Sequence, residues 1–176
     1  MKKERILLTF AGADMSGKTH IATRLAELLN IDIFKFSREH DRNIDFMNML
    51  MYTAETQIQL LEQTRVEVIF DRFVPCEWAY SQVFKRYTCE PKIFDIDTRY
   101  AKLGGVIIYC YKSPKNYLDD DMGLIETKDY DAVKEKYEEY FTKTACKVMR
   151  ICTDDFDTEA QCVRILEELR KMEKIE

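Results

Sequence analysis

The sequence predicts an α/β protein: one three-layer α/β/α domain with five parallel strands in the order 2-3-1-4-5. Two observations predict it. Short apolar runs of strand length alternate with longer stretches of helical periodicity, the pattern of a parallel sheet covered on both faces. The first apolar run ends in a glycine-bracketed turn that leads directly into a helix, which puts that strand at the middle of the sheet, beside the crevice at the carboxyl ends of the strands.

The elements follow in order. Arg5–Phe10 reads as a buried strand. Lys18–Leu29 carries Ile21, Ala22, Leu25, Leu28 and Leu29 along one helical face. Ile31–Phe36 is a second strand, and Asn43–Gln63 repeats Met47, Leu50, Met51, Ala54, Ile58 and Leu61 at helical spacing. Val66–Phe70 gives a third strand ending at Asp71. Helical stretches over 76–88 and 92–103 lead to a fourth strand, Val106–Tyr111. A polar segment at 112–130 reads as a short lid, followed by a helix over 130–144 and a fifth strand over 147–152. The last helix opens on a Thr158…Gln161 capping box and turns Val163, Leu166, Leu169 and Met172 inward.

Composition narrows the function classes. The chain has 176 residues, 46% hydrophobic and 34% charged, which is an ordinary globular balance and excludes a collagen or a disordered tail. A net charge of −5 argues against a broad footprint for duplex nucleic acid or an anionic membrane, so phosphate chemistry must be local. Six cysteines form no CxxC pair, and neither histidine (His20, His40) stands in ligand spacing with them. Reduced thiols packed as small hydrophobes, in a cytoplasmic protein without a membrane span, are the expectation.

Two motifs carry chemistry. Gly12-Ala13-Asp14-Met15-Ser16-Gly17-Lys18-Thr19 is a complete GxxxxGK[ST] between a strand and a helix. Its glycines let backbone N–H groups face phosphate oxygens, Lys18, expected on the surface of the loop, reaches β- and γ-phosphates, and the Thr19 hydroxyl can ligate Mg²⁺. A triphosphorylated ligand is the expectation here. The second motif is Asp71-Arg72-Phe73 at the tip of the third strand. A carboxylate there suits a magnesium ion, and the adjacent arginine can grip a second phosphate.

These residues resemble the thymidylate kinase branch of the P-loop nucleoside monophosphate kinases. The opening Phe10-x-Gly12-x-Asp14-x-x-Gly17-Lys18-Thr19, the Asp71-Arg72-Phe73 with Ala79-Tyr80, and Arg38-Glu39 after the second strand carry the resemblance, which is good to about residue 85. It implies that Asp14 accepts a hydrogen bond from a sugar 3′-hydroxyl and that Arg38 and Arg72 hold the acceptor phosphate. It further implies that Asp71 lies near Mg²⁺, Phe73 stacks on the base, and Tyr80 crowds the sugar 2′-position. The implied donor is ATP, and the implied partner is a small nucleotide, a deoxypyrimidine monophosphate such as dTMP, dUMP or a 5-substituted dUMP.

The chain also departs from the family pattern. The family places a catalytic arginine in the phosphate loop or the lid; here the loop has Met15, and residues 112–149 contain no arginine. A lid lysine, Lys112 or Lys115, is the expected substitute. The arginine that reads the thymine edge is replaced by Thr56, so Gln57 or Gln59 is expected to meet the base. Phe46, Met47, Met49, Leu50 and Met51 are expected in the core or between copies of a homodimer. Trp78 fits either the core or a wall of the base pocket, and Asp119–Asp121 a solvated loop. Other acceptors stay open: a free deoxynucleoside, or 5-hydroxymethyluracil in DNA. A GTP-binding switch is disfavoured because no Asn-Lys-x-Asp element follows the fourth strand.

Overall fold

The computed structural model describes residues 5–36, 46–117, 129–155 and 157–175. Five parallel strands, β1 (Leu7–Ala11), β2 (Asp32–Lys35), β3 (Val68–Asp71), β4 (Val106–Tyr111) and β5 (Lys147–Cys152), form one sheet in the order β2-β3-β1-β4-β5. The expected order is the observed one. In register, Phe10 pairs with Asp71 on one side and Ile108 on the other, so the loops after β1, β3 and β4 emerge together.

Alternation along the strands splits the core into two layers. Leu7, Phe70, Ile107 and Tyr109 face helices α2 (Phe46–Gln63), α3 (Val74–Val83), α4 (Glu90–Lys102) and α5 (Tyr130–Lys143). Leu8, Phe10, Ile69, Ile108 and Cys110 face α1 (Lys18–Leu29) and α6 (Thr158–Lys171). Each of these side chains is fully or almost fully buried, and removing one from water stabilises by about 1.5–3 kcal/mol. The central strands are therefore apolar on both faces, which is why they read as continuous runs.

Several boundaries and faces differ from the expectation. The α6 cap is Asp157, whose side chain accepts from the Ala160 N–H at 3.0 Å, while the Gln161 amide turns to Asp155. Aspartate one residue earlier supplies the oxygen that the Thr158 box was expected to give. Val163 is 52% exposed and Leu28 44% exposed, because the apolar stripes of α6 and α1 are narrower than the run of apolar residues. The third helix starts earlier, at Val74, with Pro75 in its first turn. Trp78 is a core residue, packed against Phe94 and Tyr140 under the Lys143 ammonium. Met51 is buried in the core beside α4, and 112–117 contains a 3-10 turn, Pro114–Asn116. Arg38, Glu39, His40, Asp119–Asp121 and the rest of the expected lid from 118 to 128 lie outside the described residues.

Candidate active site

The Gly12–Thr19 loop takes its shape from three left-handed residues, Gly12 (φ 145°), Met15 (φ 59°) and Gly17 (φ 81°). A Cβ on Gly12 would sit 2.2 Å from the Cys110 carbonyl oxygen, so glycine is obligatory where β1 runs beside β4. Gly17 opens α1 without any side-chain cap, which leaves the first N–H groups of the helix for an anion. The Ser16 hydroxyl is buried and has no hydrogen-bond partner among the described residues.

Lys18 departs from expectation. It is 3% exposed rather than on the surface: its ammonium donates to the Ala13 carbonyl at 3.0 Å and stands 3.6 Å from Asp14 Oδ1. The aliphatic stem packs under the loop while the charge stays inside it.

Asp14 collects the groups of the second motif. Arg72 Nη2 donates to Asp14 Oδ1, and the Tyr80 hydroxyl donates to Asp14 Oδ2 at 3.1 Å. The Asp14 N–H donates to that same Tyr80 oxygen at 2.9 Å. Arg72 adopts a left-handed backbone (φ 70°), unusual for a side chain of this size, and its N–H donates to the Phe10 carbonyl at 3.1 Å. Local geometry thus spends backbone strain to bring the guanidinium from β3 across to the β1 loop. Burial pushes the Tyr80 hydroxyl well above its ordinary pKa, against the pull of Arg72.

Thr19 and Asp71 form the third cluster. The Thr19 hydroxyl donates to Asp71 Oδ2 at 2.8 Å. Asp71 is fully buried, and its Oδ1 has no hydrogen-bond partner among the described residues. A buried carboxylate oxygen without a partner is costly. A divalent cation beside Thr19 would satisfy it, so the residues present fit Mg²⁺.

After β4, Lys112 is 6% exposed and lines a small pocket, open to solvent, together with Ala13, Ser16, Tyr111, Tyr130 and Lys134. Burial pulls the Lys112 ammonium below its ordinary pKa, opposed by the nearby Asp154. Asp154 accepts from both the hydroxyl and the N–H of Ser113, which hold its carboxyl well below the usual carboxylate range. Lys115 is exposed in the 3-10 turn and does not line this pocket.

The base-reading residues fare differently. Phe73 is 2% exposed and stacked on Phe70 with ring centroids 4.6 Å apart, flanked by Phe36 and Tyr100. A base cannot stack on a face that Phe70 already covers, so Phe73 is a core residue and not the expected platform. Gln59 is tied to Glu55 at 3.0 Å on the exposed side of α2, and Gln57 is half-buried on the same helix. Three groups that sequence reasoning missed touch the loop directly: Tyr130, Tyr137 and Thr153 donate to the carbonyls of Asp14, Gly12 and Ser16. Thr153 follows β5 at the carboxyl edge of the sheet, a position that could have signalled it; the tyrosines read as ordinary core spacing.

No protein-family model matches the sequence, and no curated protein matches it. Solved structures do match in fold. The YorR protein of Bacillus subtilis, solved in complex with phosphorylated GDP, superposes with a TM-score of 0.68 at 23% identity, covering 94% of this chain and 98% of that one. Deoxyadenosine kinase from M. mycoides with bound dATP gives 0.67 at 15% identity, covering 94% and 100%. Thymidylate kinase from Candida albicans gives 0.66 at 12% identity, covering 97% and 93%. The chain has the fold of the P-loop nucleotide kinases.

Proposed function

We propose that this chain is a phosphotransferase that moves the γ-phosphoryl group of ATP to a deoxypyrimidine monophosphate: dTMP, dUMP or a 5-substituted dUMP. The observation that carries the reading is the convergence of Lys18, Arg72 and Tyr80 on Asp14. It sets a donor-phosphate lysine and an acceptor-side arginine beside the same carboxylate oxygen, Asp14 Oδ1, with the Tyr80 hydroxyl on Oδ2. Two polyanions must be brought together for transfer, and fixed positive charge between them lowers that cost.

In this reading the N–H groups of the loop and of the α1 amino terminus cradle the donor phosphates. Thr19 and Asp71 hold Mg²⁺, which when bound supplies positive charge to the phosphate oxygens. Arg72 grips the acceptor phosphate, joined by Arg38. Asp14 orients the sugar 3′-hydroxyl, and Tyr80 closes the 2′ side. Lys112, placed in the pocket beside Ala13 and Ser16, is the better of the two lid lysines to neutralise charge developing on the transferred group. Lysine lacks the fork of an arginine, so its contribution is that of a point charge.

A second acceptor, a free deoxynucleoside, draws support from the fold similarity to deoxyadenosine kinase. The direct test is ATP-dependent turnover measured against all deoxynucleosides and deoxynucleoside monophosphates. The proposal expects turnover with dTMP or dUMP. Turnover with dAMP or dGMP alone overturns the pyrimidine assignment, and turnover with nucleosides alone overturns the monophosphate.

A further inference from the structure

Three alternate carbonyls of the phosphate loop are each held by a hydroxyl from outside it. Tyr137 donates to Gly12 O at 3.2 Å, Tyr130 to Asp14 O at 2.5 Å, and Thr153 to Ser16 O at 2.8 Å. The peptide unit is planar and trans, so a carbonyl drawn to one side turns the next residue's N–H to the other. Fixing the carbonyls of residues 12, 14 and 16 therefore fixes the directions of the N–H groups of Ala13, Met15 and Gly17. Backbone N–H groups turned to one side of a loop make an anion-binding concavity. An untethered carbonyl could rotate its oxygen toward the phosphate and repel it.

The tethers come from two different places. Tyr130 and Tyr137 lie two turns apart on α5, and Thr153 follows β5, where its N–H donates to the Tyr111 carbonyl at the end of β4 at 2.9 Å. Burial holds the Tyr137 hydroxyl protonated, so it remains a donor. Tyr130 is also stacked against Tyr117, with ring centroids 4.5 Å apart at 22°, and the Tyr117 hydroxyl donates to Asp131 at 2.9 Å. Tyr117 stands just after the 3-10 turn that follows β4. A path of direct contacts thus runs from the segment after β4, through two stacked rings, to the Asp14 carbonyl.

We propose that Tyr130, Tyr137 and Thr153 are positioning residues that shape the phosphate loop for its anion, and that the Tyr117–Tyr130 stack couples the segment after β4 to that shape. This inference rests on the reading of Gly12–Thr19 as a nucleotide phosphate site. Each acts through a backbone carbonyl of the loop.

The test is the Kd for Mg·ATP by calorimetry and the thermal midpoint, in the wild type and in Tyr130→Phe, Tyr137→Phe and Thr153→Val. Each variant deletes one hydroxyl and keeps the side-chain volume. Tyr140→Phe is the control: Tyr140 lies on the same helix, but its hydroxyl donates to buried Asp97 at 2.6 Å, away from the loop. Each tether variant is expected to weaken Mg·ATP about 3- to 10-fold, the scale of one net hydrogen bond. Tyr140→Phe is expected to lower the thermal midpoint without moving Kd. Tyr117→Leu, which leaves every tether in place, is expected to weaken Mg·ATP in the same direction. Tether variants that bind Mg·ATP like the wild type overturn the inference alone, and so does a Tyr140→Phe variant weakened equally. A wild type that binds no Mg·ATP overturns the phosphate-site reading, and this inference with it.

Discussion

Arg72 donates from its guanidinium to the carboxylate of Asp14, joining the tip of β3 to the loop after β1. Both residues are partly shielded, with side chains 29% and 18% exposed, so the pair is neither a surface ion pair nor a sealed one. Its energy is only part of its meaning. The left-handed backbone at Arg72 is retained because the side chain must reach this place.

Arg72→Ala is expected to cost about 3–5 kcal/mol in kcat/KM for the monophosphate, the scale for removing one member of a shielded charge contact to phosphate. Asp14→Ala is expected to remove the disadvantage of a 3′-deoxy substrate. Steady-state kinetics with dTMP and its 3′-deoxy analogue check both. Unchanged kinetics in Arg72→Ala would move the acceptor phosphate elsewhere.

The proposed function expects magnesium dependence, because Asp71 Oδ1 has no hydrogen-bond partner among the described residues. Turnover should vanish in EDTA and return with added Mg²⁺. Asp71→Asn should lower kcat by about 10²-fold or more, since one charged ligand is lost where negative charge gathers. Stability should change in the other direction, because Asp71→Asn relieves a buried, incompletely satisfied carboxylate. Full activity in EDTA would exclude this site.

Phe73 separates packing from recognition. Enclosed by Phe70, Phe36 and Tyr100, it should behave as a large core side chain, and Phe73→Ala should destabilise the fold by about 3–5 kcal/mol. Phe73→Leu should leave the preference among pyrimidine monophosphates unchanged. A shift in base preference without loss of stability would return Phe73 to the base pocket.

The thiols give a pH signature. Burial pushes the Cys110 thiol up to about 12 and the Cys162 thiol up to about 11. Both folded values lie above the unfolded thiol value of about 8.5, so their contribution to stability is fully present below that pH. It is lost progressively as pH rises through 11 to 12. Denaturant midpoints should therefore fall above about pH 8.5. In native protein at pH 8, Cys89 and Cys152, which are half-buried, should react with a thiol reagent before Cys76, Cys110, Cys146 and Cys162. Equal reaction of all six would contradict the described core.

What was legible in the sequence followed from patterns with one physical solution. Apolar runs without alternation forced double-sided burial, and a phosphate-loop motif between strand and helix forced β1 to the centre. Those two facts give a covered parallel sheet with β1 inside it; which of β2 and β3 lies beside β1 does not follow from them, and the structure puts β3 there. Element faces were less legible where an apolar residue flanks the buried stripe, as Val163 and Leu28 do. In the candidate site, Gly12–Thr19 and Asp71-Arg72 could be singled out because their spacing is local, and the structure brings Asp14 to Arg72 and Thr19 to Asp71. Phe73 misled because a motif position says nothing of which ring covers it; Phe70, on the same strand end, does. Lys18 misled because a long stem can bury while its charge is paired. Tyr130, Tyr137 and Thr153 stayed hidden because their contacts span more than 100 residues of sequence.

The most direct measurement follows labelled γ-phosphate from ATP to dTMP in the wild type, Lys18→Met and Lys18→Arg, alongside their thermal midpoints. Because Lys18 is buried, the midpoints separate loss of fold from loss of chemistry. The account predicts transfer by the wild type, and no transfer by a Lys18→Met protein that still melts cooperatively. Lys18→Arg keeps the charge but changes its geometry, and should retain only a small fraction of the rate. Undiminished transfer by folded Lys18→Met, or a wild type that transfers label to no nucleotide or nucleoside, would contradict it.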